Sequence, residues 1–191
     1  MAERPVNKLL LVGWDAADWE VIQPLLDRGE LPTLRRLIEN GASGPLASLE
    51  PMLSPMLWTS IATGKHPHKH GIHGFTEARP DGRGIRAAAS TSRTTKAIWN
   101  ILSQNNLRTS AVGWYASHPA EPIRGVCVSN HYTVAPQPGV PWQMATGTVF
   151  PEELSATLAG LRLRPEEVRL QELQAFIPNA ARMIPNRTIG C

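Results

Sequence analysis

Ser54 stands in the run Met52-Leu-Ser-Pro-Met-Leu-Trp-Thr-Ser-Ile-Ala-Thr-Gly64, a hydroxyl set where a helix is due to begin. Serine is a favoured N-cap and proline suits the first helical turn, so a helix is expected from Pro55 to about Thr63. Gly64 supplies the permissive backbone that ends it, and Lys65-His-Pro-His-Lys-His70 cannot continue an apolar stripe. Backbone N–H groups at such a start attract an anion and stabilise a developing alkoxide, which is what a hydroxyl attacking a phosphate needs. Taken by itself, a Ser-Pro helix start more often only caps the helix.

The second group is Asp15. Lys8-Leu-Leu-Leu-Val-Gly-Trp-Asp15 reads as a short buried β-strand ended by Gly13, with the carboxylate at its carboxyl end. Open α/β sheets gather their ligands at the carboxyl ends of strands. Asp15 is therefore a metal ligand or the cap of a helix that starts near Asp18. Thr59, Ser60 and Thr63 are rival nucleophiles, but they fall inside the expected helix, where hydroxyls bond back to carbonyls. His66, His68, His70 and His73 crowd together, yet Pro67 breaks the spacing that would align two imidazoles on one helix face. His66 and His68 are expected to face solvent, and Lys65 and Lys69 could steer anions.

Asp15 after a first strand, Leu31-Pro-Thr-Leu34, and Ser54 running through Thr63-Gly64 and Pro67 to His70-Gly71-Ile72 together resemble the type I phosphodiesterase/nucleotide pyrophosphatase family of the alkaline phosphatase superfamily. The resemblance covers residues 8–75 well and the rest loosely. It implies an α/β fold, a parallel-type sheet with helices on both faces, an alkaline-phosphatase-like core that is incomplete here. It also implies two divalent metal ions, usually zinc, with Asp15 a ligand and Ser54 both nucleophile and ligand. The substrate would be a small phosphorylated molecule, its binding residues unknown, and His70 would brace the loop after the nucleophile helix.

Two departures bear on activity. Where family nucleotide pyrophosphatases carry an Asn soon after the nucleophile, this chain has Leu57, which weakens the case for nucleotides. The family's other metal ligands include an Asp-His-Gly motif, whereas this chain has no Asp-His pair and no Asp after Asp81. Two metals need roughly six protein ligands, and Asp15 with Ser54 supplies two. The expectation is an amino-terminal part of a larger enzyme, inactive alone, whose remaining ligands and carboxyl-terminal partner segment lie outside it. The alternatives are a non-catalytic chain that binds an anion or a partner, and a phospho- or sulfo-group transferase or mutase.

Composition sets the outer bounds: 42% hydrophobic and 18% charged residues suit a globular chain with a sizeable core. A net charge of +3, with Lys and Arg scattered singly, argues against nucleic acid and membrane partners. No segment approaches the about 20 apolar residues of a membrane helix, and two distant cysteines do not make a disulfide framework, so a cytoplasmic protein is expected.

The elements that must hold Ser54 and Asp15 follow from periodicity. Helices are expected over 18–28, 32–40, 94–104, 151–161 and 165–176, and strands over 44–49, 108–114 and 126–129. Residues 135–141 read as a proline-rich loop. The expected division is a catalytic part over 8–130 and a loop-rich insertion or continuation over 131–191. Gly113-Trp-Tyr115 with Ser117 to Glu121 could line the Asp15 rim, although a packed strand-to-loop corner is the stronger reading.

Overall fold

The computed structural model describes residues 8–137, 139–164, 168, 169 and 171. The chain divides into a smaller unit, Met1–Ser54, and a larger one, Pro55–Cys191. The helix expected over 165–176 lies almost wholly outside the described residues. No helix among the described residues is long and apolar enough to cross a membrane.

The smaller unit is built on two short helices. α1 (Trp19–Asp27) starts where Asp18 caps it, the Asp18 carboxylate accepting from the Glu20 N–H at 2.8 Å, and it buries Ile22 and Leu26. Gly29, at φ 72°, turns the chain out of α1 with its N–H on the Leu26 carbonyl. α2 (Pro32–Glu39) follows with proline in its first turn, and the Arg35 guanidinium donates to the Leu26 carbonyl, tying α2 to α1.

The strands expected over 8–15 and 44–49 do not form. Leu9, Leu10, Leu11 and Val12 are between 55% and 86% exposed, so the first apolar run is not a buried strand. A parallel strand exists only where a neighbour completes its backbone hydrogen bonds, and within the smaller unit no described residue does so. Periodicity reports an apolar segment but is silent about its partner.

The larger unit carries the α/β character. α3 (Ser54–Thr63) runs into it from the unit boundary, followed by the single turn α4 (Pro67–His70). β1 (Thr76–Ala78) and β2 (Ile85–Ala87) form an antiparallel hairpin in which Glu77 opposes Arg86, their side chains joined at 2.6 Å. α5 (Ile98–Gln104) starts later than periodicity suggests. The Asn100 side chain accepts from the Ala97 N–H, which fixes the first turn there.

The central sheet orders β3 (Thr109–Val112), β4 (Gly125–Val128) and β5 (Val149–Phe150). β3 and β4 run parallel, in register from Thr109 with Gly125 to Val112 with Val128. β5 returns antiparallel from the proline-rich excursion to set Phe150 opposite Cys127. Gly125 makes the parallel pairing possible: at φ 153°, a Cβ there would lie 1.8 Å from the Thr109 carbonyl oxygen. Ala62 of α3, Ala97, Trp99 of α5, Ala111 of β3, Ile123 and Cys127 of β4 form the core, with Trp114, Ala120 and Phe150 packed on it. The expected helix over 151–161 is split into a 3-10 turn, Glu152–Leu154, and α6 (Ser155–Ala159).

Candidate active site

α3 begins at Ser54, within a residue of the start that Ser-Pro implies, and ends before Gly64, whose φ of 63° is closed to most side chains. Its hydroxyl is half-buried and is turned toward Asp15, 39 residues earlier, with both carboxylate oxygens 3.4 Å from Ser54 Oγ. Both residues belong to the smaller unit. Asp15 lies at a tight turn, the chain reversing through Ala16 in the left-handed region at φ 56°. The structure thus brings together the two side chains the sequence singles out, although the strand expected to deliver Asp15 is missing.

A separation of 3.4 Å is long for an O–H···O hydrogen bond, whose usual length is about 2.7–2.8 Å. Carboxylate and hydroxyl oxygen suit a divalent cation chemically. By the chemistry of their donor atoms, Asp15 and Ser54 could supply part of a metal site. Among the described residues there is no group of three or more His, Cys, Asp or Glu side chains placed to hold a metal, so a two-metal shell is not complete on them.

Two of the three rival hydroxyls are hydrogen-bonded within the helix and the third is buried. Ser60 Oγ donates to the Met56 carbonyl at 2.9 Å and Thr63 Oγ1 to the Thr59 carbonyl at 2.7 Å, while Thr59 is buried. Lys65 and Lys69 follow the carboxyl end of α3, about 15 Å along the axis from Ser54 at 1.5 Å per residue, which leaves little for them in local steering. His66 and His68 are exposed.

His70 is fully buried and braces α3. Its Nδ1 accepts the Ile72 N–H at 3.2 Å, so Nε2 carries the proton and donates to Ser60 Oγ at 2.9 Å. Burial, and after it the neighbouring His73, lowers its pKa, which keeps the ring neutral. Gly71 turns the chain at φ 82°, where a Cβ would press on the Ser92 carbonyl and Thr94 at 3.2 Å. The Thr94 N–H meets the His70 carbonyl at 3.0 Å and Thr94 Oγ1 the Lys69 carbonyl at 2.8 Å, which locks this turn to the next segment.

Trp114, just beyond the end of β3, packs as a corner. Its indole N–H donates to the Trp58 carbonyl of α3 at 2.8 Å, and its ring meets Trp58 edge-on at 5.1 Å and Trp99 at 5.9 Å. Sequence reading favours packing at this position but gives no sign that the tie reaches α3. Nearby, Glu121 accepts from Arg93 and from the Trp99 indole, with Asn100 on its other oxygen. An open polar pocket of about 350 Å³ lies beside Arg93, Lys96 and Glu121, and Ser54 does not line it.

No curated protein and no solved structure matches the chain. The model of one family does, over residues 9–174, a span that takes in Asp15, all of α3 and the central sheet. With the α/β architecture and the Asp15–Ser54 pair in place, that match establishes that the chain belongs to the type I phosphodiesterase/nucleotide pyrophosphatase family.

Proposed function

We propose that Ser54 is the nucleophile of a metal-dependent phosphoric ester hydrolase and that Asp15 contributes to the metal shell. The observation that carries this reading is the placement of Ser54 Oγ at the head of a ten-residue helix, 3.4 Å from both Asp15 oxygens. Ser54 Oγ attacks phosphorus in line, forming an O–P bond as the bond to the leaving alcohol breaks. The alcohol departs with the electron pair and takes up a proton, while the serine hydroxyl gives up its own. Water then attacks the phosphoseryl phosphorus, and Ser54 regains a proton as phosphate or a phosphomonoester leaves. A helix start such as that of α3 favours negative charge on the attacking Ser54 oxygen. A divalent ion, zinc above all, would favour the serine alkoxide and neutralise that charge.

The test is the release of nitrophenolate from bis(4-nitrophenyl) phosphate with added zinc. Zinc-dependent release that is lost in Ser54→Ala supports the proposal, and equal release from both chains overturns it. A second reading, binding of an anion without turnover, draws on the incomplete metal cluster among the described residues. It predicts saturable phosphate binding with no release from either chain.

A further inference from the structure

We infer that Trp114 is a positioning residue for Ser54, acting through α3; this rests on the reading of Ser54 as nucleophile. Trp58 lies four residues beyond Ser54, one helical turn along α3, and its carbonyl receives the Trp114 indole N–H at 2.8 Å. Trp114 is itself fixed where β3 ends: Gly113, at φ 66°, turns the chain, and its N–H is held by the Val128 carbonyl of β4 at 2.8 Å. Ser117 Oγ donates to the Trp114 carbonyl, and Asn130 holds the Ser117 N–H at 3.1 Å, so both sides of the corner are pinned. The central sheet thereby grips α3 within its first two turns. His70 holds the same helix farther along, at Ser60.

A helix whose leading turns are held presents its N–H groups in a constant direction, and the charge-stabilising effect acts only within that first turn. Trp99 is the internal control. It belongs to the same aromatic cluster and is more deeply buried, but its indole N–H is committed to Glu121, not to α3. Loss of packing alone would act through both tryptophans. Loss of the α3 tie acts through Trp114 alone.

The test replaces Trp114 with 3-benzothienylalanine, which keeps the bicyclic ring and removes the N–H, beside Trp99→Phe and Trp114→Phe. All three are made in the full chain carrying Ser54→Cys. The first readout is the pKa of the thiol at position 54, from the pH dependence of its alkylation, since a helix N-terminus lowers a thiol pKa. The second is amide exchange over residues 55–62. Removing the Trp114 donor should raise that thiol pKa by about half a unit or more and speed α3 exchange about fivefold or more, with Trp99→Phe leaving both unchanged. An unchanged thiol pKa, or an equal rise in the Trp99 chain, overturns the inference. Neither readout needs metal or substrate, so this failure is distinct from failure of the hydrolase reading, which Ser54→Ala decides by turnover.

Discussion

His70→Asn separates two things that the His70 brace does. Asparagine keeps an acceptor near Nδ1 for the Ile72 N–H, so the buried donor is not orphaned, but it cannot reach Ser60 or titrate. The lost hydrogen bond is worth about 1 kcal/mol. The missing part of the ring leaves a void of about 40 Å³, or about 1 kcal/mol at about 24 cal/mol per Å³. The variant should therefore be about 2 kcal/mol less stable at pH 7.5, a shift of about 1 M in the urea midpoint. The pH dependence carries the sharper signature. The folded-state pKa of His70 lies below its unfolded value of 6.5, mainly through burial, so the unfolded chain binds the proton more readily. Its contribution is complete above about pH 6.5 and is lost as pH falls toward the folded pKa, at a slope of up to about 1.4 kcal/mol per unit. The variant lacks this loss, so the stability gap between the chains should narrow from pH 7.5 to 5. His118, lowered by burial and by His131 stacked 3.8 Å away, titrates in both chains and cancels. Urea unfolding followed by tryptophan fluorescence measures the gap, and a gap that stays constant over that range would refute the buried neutral brace.

Three further outcomes are open to measurement. Glu121→Ala removes the counter-charge of the Arg93 guanidinium, whose side chain is 5% exposed and which keeps only the neutral Thr95 carbonyl and Asn100 amide oxygen as acceptors, leaves the Trp99 indole N–H without its acceptor, and should cost about 3–5 kcal/mol in urea unfolding. Gly125→Ala drives a Cβ into the Thr109 carbonyl and should break the β3–β4 pairing. Unfolding or loss of amide protection in both strands is the expected result, and a stability within about 0.5 kcal/mol of the parent would contradict the close approach. Asp15→Asn should raise the zinc concentration for half-maximal nitrophenolate release by about tenfold or more, a scale reached even by groups that only orient a ligand.

Much of the site was legible because it depends on local chemistry. Ser-Pro opens α3 and Gly64 closes it, and the Ser60 and Thr63 hydroxyls turn back on their own helix, all from preferences that act within a few residues, whereas the cap of α1 is Asp18 and not Asp15. The failures are non-local. Leu9 to Val12 has the composition of a buried strand, but burial needs a pairing partner, which composition does not encode. The β1–β2 hairpin carries only a weak local signal, the Pro80-Asp-Gly82 turn between two three-residue strands. β5 has only two residues and shows no periodicity at all. The Trp114 tie to α3 spans 56 residues and leaves no local trace.

The central claim is that Ser54 carries the phosphoryl group, and the most direct measurement is mass spectrometry of the chain acid-quenched during reaction with bis(4-nitrophenyl) phosphate and zinc. The account predicts a phosphoryl adduct on the peptide containing Ser54, at Ser54 itself, and none in Ser54→Ala. Nitrophenolate release with the adduct on another residue, or with the same adduct surviving in Ser54→Ala, would contradict it.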